Sequence, residues 1–172
     1  MVLVHDKNAF QNELREVPLY KDFREDAEPS AMPELYIENA YDYYDKYINR
    51  TERFDLLEEH NFPIHGSIPP IDWELFGVLL GGDERKTTGK GSDLKTFEIK
   101  SAVAGGSFEY QYHKHGGVAK LDEDKTVDHI FITYSRDYQN VTVRLVRGLV
   151  LAPRCAGWRA ASLKAYRGQA DS

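Results

Sequence analysis

The sequence predicts an α/β domain: a central mixed β-sheet flanked by helices, with an N-terminal helical arm. Three observations predict it. Residues 1–80 carry apolar side chains at helical spacing, four apolar runs of strand length follow from residue 95, and the chain closes on a basic stretch of helical composition. With 172 residues, 41% of them hydrophobic, one core can be built without disulfide or metal staples. The expected organisation is a single domain over 1–172. Residues 1–60 form the arm, 71–151 the core and 152–172 a basic tail.

Taken in order, Pro33 is placed to start a helix in which Ile37, Ala40, Tyr41, Tyr44, Tyr47 and Ile48 recur every three or four residues. Glu34, Glu38, Asp42, Asp45 and Lys46 fall on its other face. Thr51 suits the cap of a second helix, TERFDLLEEH. Three prolines and a glycine make 61–70 a loop. Asp72 then suits the cap of a helix through Trp73, Phe76, Leu79 and Leu80, ended by Gly81-Gly82. A polar loop follows from Asp83 to Ser92. Strands are expected at Lys95–Val103, Ser107–Tyr112, Asp128–Tyr134 and Val141–Leu151, and a short basic helix near GWRAASLKAYRG.

The net charge of −6 conceals an uneven distribution. Residues 1–60 hold 15 acids against 7 bases, whereas 141–172 hold 6 bases against one acid. A basic C-terminal third can follow a phosphate backbone while the acidic arm faces elsewhere. One cysteine, Cys155, forms no internal disulfide and no four-Cys zinc site, and is read as structural. No apolar run spans a bilayer, and the N-terminus turns polar too soon for a signal peptide, so a soluble, cytoplasmic protein without membrane attachment is expected. Lys86, Thr87, Thr88 and Lys90 do not make a Walker loop, because Glu84 and Gly91 stand where glycine and Ser/Thr are needed.

The chemistry concentrates in Gly91-Ser92-Asp93-Leu94-Lys95-Thr96-Phe97-Glu98-Ile99-Lys100-Ser101-Ala102. On an extended strand Thr96, Glu98 and Lys100 share one face, while Phe97 and Ile99 point into the core. If the chain bends before the strand, Asp93 lies beside Glu98 at the sheet surface. Two carboxylates supply hard oxygens to Mg²⁺, which prefers few protein ligands, and the Ile99 carbonyl is placed to add a third. A metal-bound water is acidified, and a nearby lysine can orient or deprotonate it for in-line attack on a phosphodiester.

Asp93…Glu98-Ile99-Lys100 resembles the PD-(D/E)XK nuclease motif, and its surroundings over roughly 73–147 resemble type II restriction endonucleases, most of all the PvuII-type homodimers. The pieces in order are LFGVLLGG, Gly91-Ser92-Asp93, Glu98-Ile99-Lys100-Ser101 and His113-Lys114-His115. Serine replaces the motif proline, and the interval from Asp93 to Glu98 is shorter than in the PvuII-type enzymes. The resemblance implies a restriction-endonuclease-like fold, with Asp93, Glu98 and Ile99 holding Mg²⁺ and Lys100 positioning the attacking water. It also implies a further acid, Glu74, on the preceding helix.

Gln111, His113, Lys114 and His115 are the kinds of group that read base edges or grip phosphates, and the resemblance implies that this segment enters a DNA groove. A metal pair at His113 and His115 is the rival there, without a further His/Cys cluster to support it. Lys90, in a loop that orders on DNA, and Arg136, in the turn Ser135-Arg136-Asp137-Tyr138, are further candidates for phosphate contact. The expected partners are double-stranded DNA and a second copy of the chain, joined through residues 33–60, with a cognate DNA methyltransferase as a separate protein. The alternatives are a structure-selective nuclease of the same fold, such as a junction resolvase or repair enzyme, and a non-catalytic DNA-binding or assembly protein.

Overall fold

The computed structural model describes residues 34–84, 94–110 and 117–167. Helix α1 (Ile37–Tyr43) runs into a π-helical turn (Tyr44–Ile48) and is followed by α2 (Thr51–Glu59) and α3 (Pro70–Gly81). Strand β1 (Phe97–Val103), helix α4 (Gly117–Asp124), strands β2 (Asp128–Tyr134) and β3 (Val141–Val146), and helix α5 (Gly148–Arg167) complete the order. The sheet is mixed, as expected: β1 pairs parallel to β2 and β2 antiparallel to β3. The β1–α4–β2 unit is what makes the first pair parallel, since parallel neighbours need a crossover. Among the described residues no helix is long and apolar enough to cross a membrane.

One face of the sheet carries Phe97, Ile99, Ile130, Ile132, Val143 and Leu145, all buried, against Ala40, Tyr44, Ile48, Phe54, Trp73, Phe76 and Leu80 from the helices. The N-terminal helices are therefore part of the main core, and their apolar stripe is used within the chain. Two aromatics bind the layers together. Trp73 of α3 stacks on Tyr134 of β2 at 4.5 Å with ring planes 2° apart. Tyr138, in the β2–β3 turn, accepts the Tyr44 hydroxyl at its carbonyl (2.7 Å) and takes the Gly66 N–H at its own hydroxyl (2.8 Å).

Several expectations need correction. Helix α1 begins at Ile37, and residues 34–36 are irregular, with the Tyr36 N–H bonded to Leu80 O. Thr51 is the first helical residue and Arg50 occupies the cap position, without a side-chain cap. Asp72 sits inside the first turn of α3, because Pro69-Pro70 starts the helix earlier; its carboxylate accepts the Tyr43 hydroxyl at 2.7 Å instead. Burial together with that bond pushes the Tyr43 phenol up to about 12. Residues 107–110 form no strand. The last strand stops at Val146, where Asp128 receives Arg147 Nε (2.9 Å) and the Gly148 N–H (3.1 Å) and starts α5. Leu149 to Leu151 thus belong to a helix. Helix α4 was not foreseen.

Gly81 and Gly82 do end α3, with Gly82 left-handed at φ 59°. Gly77 answers to a different need, because a Cβ there would lie 2.5 Å from Ile99 Cδ1 and 2.9 Å from both Ile99 γ-carbons. Ile99 is buried and branched at Cβ, so it has little room to turn aside. Gly77→Ala is expected to lower stability in urea unfolding by about 1–3 kcal/mol. Gly157→Ala, at an exposed α5 position with no atom within 4 Å, should be neutral or stabilising by up to about 1 kcal/mol.

Candidate active site

Alternation along β1 sends Glu98 and Lys100 to the face opposite Phe97 and Ile99, and there they meet (Lys100 Nζ to Glu98 Oε1, 2.6 Å). The sequence placed this pair at the surface. Instead, α4, α5 and the side chains of Phe108 and Tyr110 cover this face, and Glu98 is 0% exposed. Lys120 of α4 brings a second ammonium to the same carboxylate oxygen at 3.1 Å. The two lysine side chains keep 15% and 22% of their surface. A buried carboxylate is costly unless paired, and here it is paired twice.

Next to Glu98 across the parallel ladder stands His129, also fully buried. Its Nε2 lies 2.7 Å from the Asp124 carbonyl, which can only accept, so Nε2 carries the proton. Nδ1 then accepts the Tyr110 hydroxyl at 2.9 Å. Burial holds the imidazole below its ordinary value, partly offset by its bond to Asp124 and by the Glu98 charge. The Tyr110 ring lies under Lys100, whose Nζ is 5.0 Å from the ring centroid. The same ring also meets Trp158 of α5, at 5.2 Å between centroids. Burial, reinforced by the charges of Asp124 and Glu98, pushes the Tyr110 phenol well up, so it remains a donor.

Phe108 and Tyr110 share a side, packing on Phe131 and His129, while Glu109 is exposed. The backbone between them achieves this without pairing as a strand. At the start of β1, Asp83 accepts the Thr96 N–H (2.6 Å) and hydroxyl (2.7 Å), and Lys95 pairs with Glu84 at 2.5 Å. Burial raises the Asp83 carboxyl, but these bonds outweigh it and leave it below its usual range.

Of the predicted site residues, Glu98 and Lys100 are brought together. Ile99 turns its side chain to the core beneath Gly77. Glu74 is half-buried on α3, the helix that packs against the Phe97–Ile99 face. Arg136 is exposed in the turn beyond the C-terminal end of β2. Asp93, Lys90, Gln111, His113, Lys114 and His115 lie outside the described residues. Cys155 is buried, and burial raises its thiol, in keeping with a structural role. Lys120, Tyr110, His129 and Asp124 were missed. The signal for Lys120 was the short amphipathic run VAKL before β2; for His129 it was a polar residue opening an otherwise apolar strand.

Compared with known proteins, the chain matches no family model, no curated protein and no solved structure.

Among the described residues no cluster of three His, Cys, Asp or Glu could hold a metal by itself. The donor chemistry fits a hard cation in part: Glu98 is an oxygen donor, but fully buried and already met by two ammoniums, whereas Mg²⁺ takes one or two carboxylates and keeps water. The second carboxylate that the motif assigns, Asp93, is outside the described residues.

Because the imidazole is depressed in the fold, the unfolded chain takes up more protons as pH falls through about 6.5. That component of stability is therefore present above pH 6.5 and lost below it. Expected outcomes are ring ¹⁵N shifts of an Nε2–H tautomer that persist below pH 6.5, and a weaker loss of stability from pH 7 to 5 in His129→Gln. An imidazolium at pH 6.5 would contradict the assignment.

Proposed function

We propose that this chain is a Mg²⁺-dependent type II restriction endonuclease of the PD-(D/E)XK kind, hydrolysing both strands of a short duplex DNA site. The observation that carries the proposal is the Glu98–Lys100 contact at 2.6 Å on a parallel strand that follows Gly91-Ser92-Asp93 in sequence. A carboxylate and an ammonium on one strand face are what metal-assisted phosphodiester hydrolysis asks of a protein: one to hold the cation, one to place the water. When bound, the cation acidifies that water and offsets the charge that grows on the phosphoryl oxygens.

Glu98 and Asp93 would hold the cation, with the Ile99 carbonyl as a further oxygen. Lys100 is positioned by the Tyr110 ring, so its ammonium sits at a defined point beside Glu98. On the same side of the sheet Arg144 occupies the β3 position two strands from Lys100, through Phe131, and is exposed. Arg154 is exposed on α5. These bases supply positive charge where a phosphate backbone would approach. Gln111, His113, Lys114, His115, Lys90 and Arg136 remain the candidates for DNA contact, and Glu74 for a further acid.

Two strands related by a two-fold axis and one site per chain call for a homodimer. Since the apolar stripe of α1 and α2 is used in the core, the contact would have to form through outward side chains such as Tyr36, Tyr47 and Leu56, all exposed. A cytoplasmic location and a separate protecting methyltransferase follow from the same proposal.

Incubation with phage DNA and Mg²⁺, followed by sequencing of the fragment ends, is expected to give discrete fragments with one shared end sequence. Asp93→Ala, Glu98→Gln and Lys100→Ala should each reduce cleavage by about 100-fold or more. Junction- or end-dependent cutting would favour a structure-selective nuclease. DNA binding without any cleavage would favour a non-catalytic protein, and near wild-type activity in Glu98→Gln would remove the site.

A further inference from the structure

We infer that His129 is a positioning residue for Lys100, acting from the centre of the sheet through the Tyr110 ring. That Lys100 takes part in chemistry rests on the reading above; that His129 sets where its ammonium stands does not. Two groups that meet the Lys100 ammonium are the Glu98 carboxylate, at 2.6 Å, and the Tyr110 ring, whose centroid is 5.0 Å away. They act differently. Coulomb attraction depends on distance, so a carboxylate holds an ammonium near without fixing its bearing. An aromatic ring draws a cation onto its face, so the ring plane supplies the direction.

What holds the ring therefore matters. Tyr110 lies in a segment that forms no strand, and its hydroxyl ties it to the sheet at His129 Nδ1, 2.9 Å away. His129 is a firm anchor. It is fully buried on the middle strand, β2, with Glu98 opposite on β1 and Val146 opposite on β3. The ring of Phe131 lies 5.9 Å from the imidazole and within 15° of its plane. The Nε2–H is engaged by the Asp124 carbonyl at 2.7 Å, which leaves Nδ1 as an acceptor aimed at Tyr110. The chain from Asp124 through His129 and Tyr110 thus ends on a ring face, and what it delivers to Lys100 is a location.

Two amides separate the functions of the imidazole. Glutamine can still donate toward Asp124 from near the Nε2 position, but offers Tyr110 no acceptor in the Nδ1 place. Asparagine puts an oxygen near Nδ1 and keeps that acceptor. The test reads the Lys100 ammonium directly, by ¹⁵N relaxation of its NH₃⁺ group in the full chain, assigned by its loss in Lys100→Arg. Wild type is expected to show an ordered ammonium. Tyr110→Phe, which keeps the ring but not its bond, and His129→Gln should each lower that order. Each should also reduce kcat about tenfold, with KM for the cleaved DNA within about twofold of wild type. His129→Asn should recover most of both. In the Tyr110→Phe background His129→Gln should add less than about twofold, because both act through one bond. Working well below each thermal midpoint keeps loss of fold out of the comparison. Should His129→Gln fail to fold, Tyr110→Phe, which removes a single oxygen, carries the same expectation.

A wild-type ammonium as mobile as those of exposed lysines, or one equally ordered in Tyr110→Phe and His129→Gln, would overturn the inference and leave the nuclease proposal standing on its cleavage assay. Losses that multiply in the double variant would also overturn it, since His129 would then not act through Tyr110. Lower order in both single variants of a chain that cuts no DNA would support the positioning and remove the nuclease.

Discussion

The polar groups on the second face of the sheet gather around two buried carboxylates, Glu98 and Asp124, with His129 between them and Tyr110 beside them. Glu98 is fully buried, and burying a carboxylate is costly unless cationic groups meet it, as Lys100 and Lys120 do. An apolar residue of similar size would fill the same space at less risk to stability. Retaining a carboxylate there is costly, and α4 contributes Lys120 to the balance. The strand therefore sacrifices stability for a defined anionic point beneath a half-covered lysine.

The fold explains how such a point is made precise. Glycine at position 77 lets α3 come close enough for Ile99 to anchor β1 from below, and the parallel ladder with β2 sets Glu98 beside His129. Above the sheet, α5 starts on Asp128 and brings Trp158 against Tyr110. The two faces thus have different tasks. One is a continuous apolar core shared with the acidic N-terminal helices; the other is a polar layer next to the basic end of the chain.

The sheet was legible because its signals were local. Val141–Val146 alternates cleanly, and the Phe97/Ile99 versus Glu98/Lys100 partition follows from the period of a strand alone. Where the reading failed, a tertiary contact had overruled a local preference. Asp72 resembles a cap, but Pro70 starts the helix and Tyr43 takes the carboxylate. Leu149 to Leu151 resemble the end of a strand, but the Asp128 carboxylate gathers Arg147 and the Gly148 N–H and turns the chain into α5. The motif pair was visible as a sequence pattern, whereas its burial was not. Burial depends on Lys120 and Tyr110, ten or more residues away, and no periodicity within β1 refers to them.

The neutral members of the cluster matter as much as the charged ones. If His129 carried a proton, a third cation would stand beside Glu98, and the demand for an external positive charge would fall. Burial keeps the imidazole neutral and raises the Tyr110 phenol, so the Tyr110–His129–Asp124 chain is a sequence of fixed hydrogen bonds rather than a titrating relay. Lys100 inherits that rigidity through the ring face.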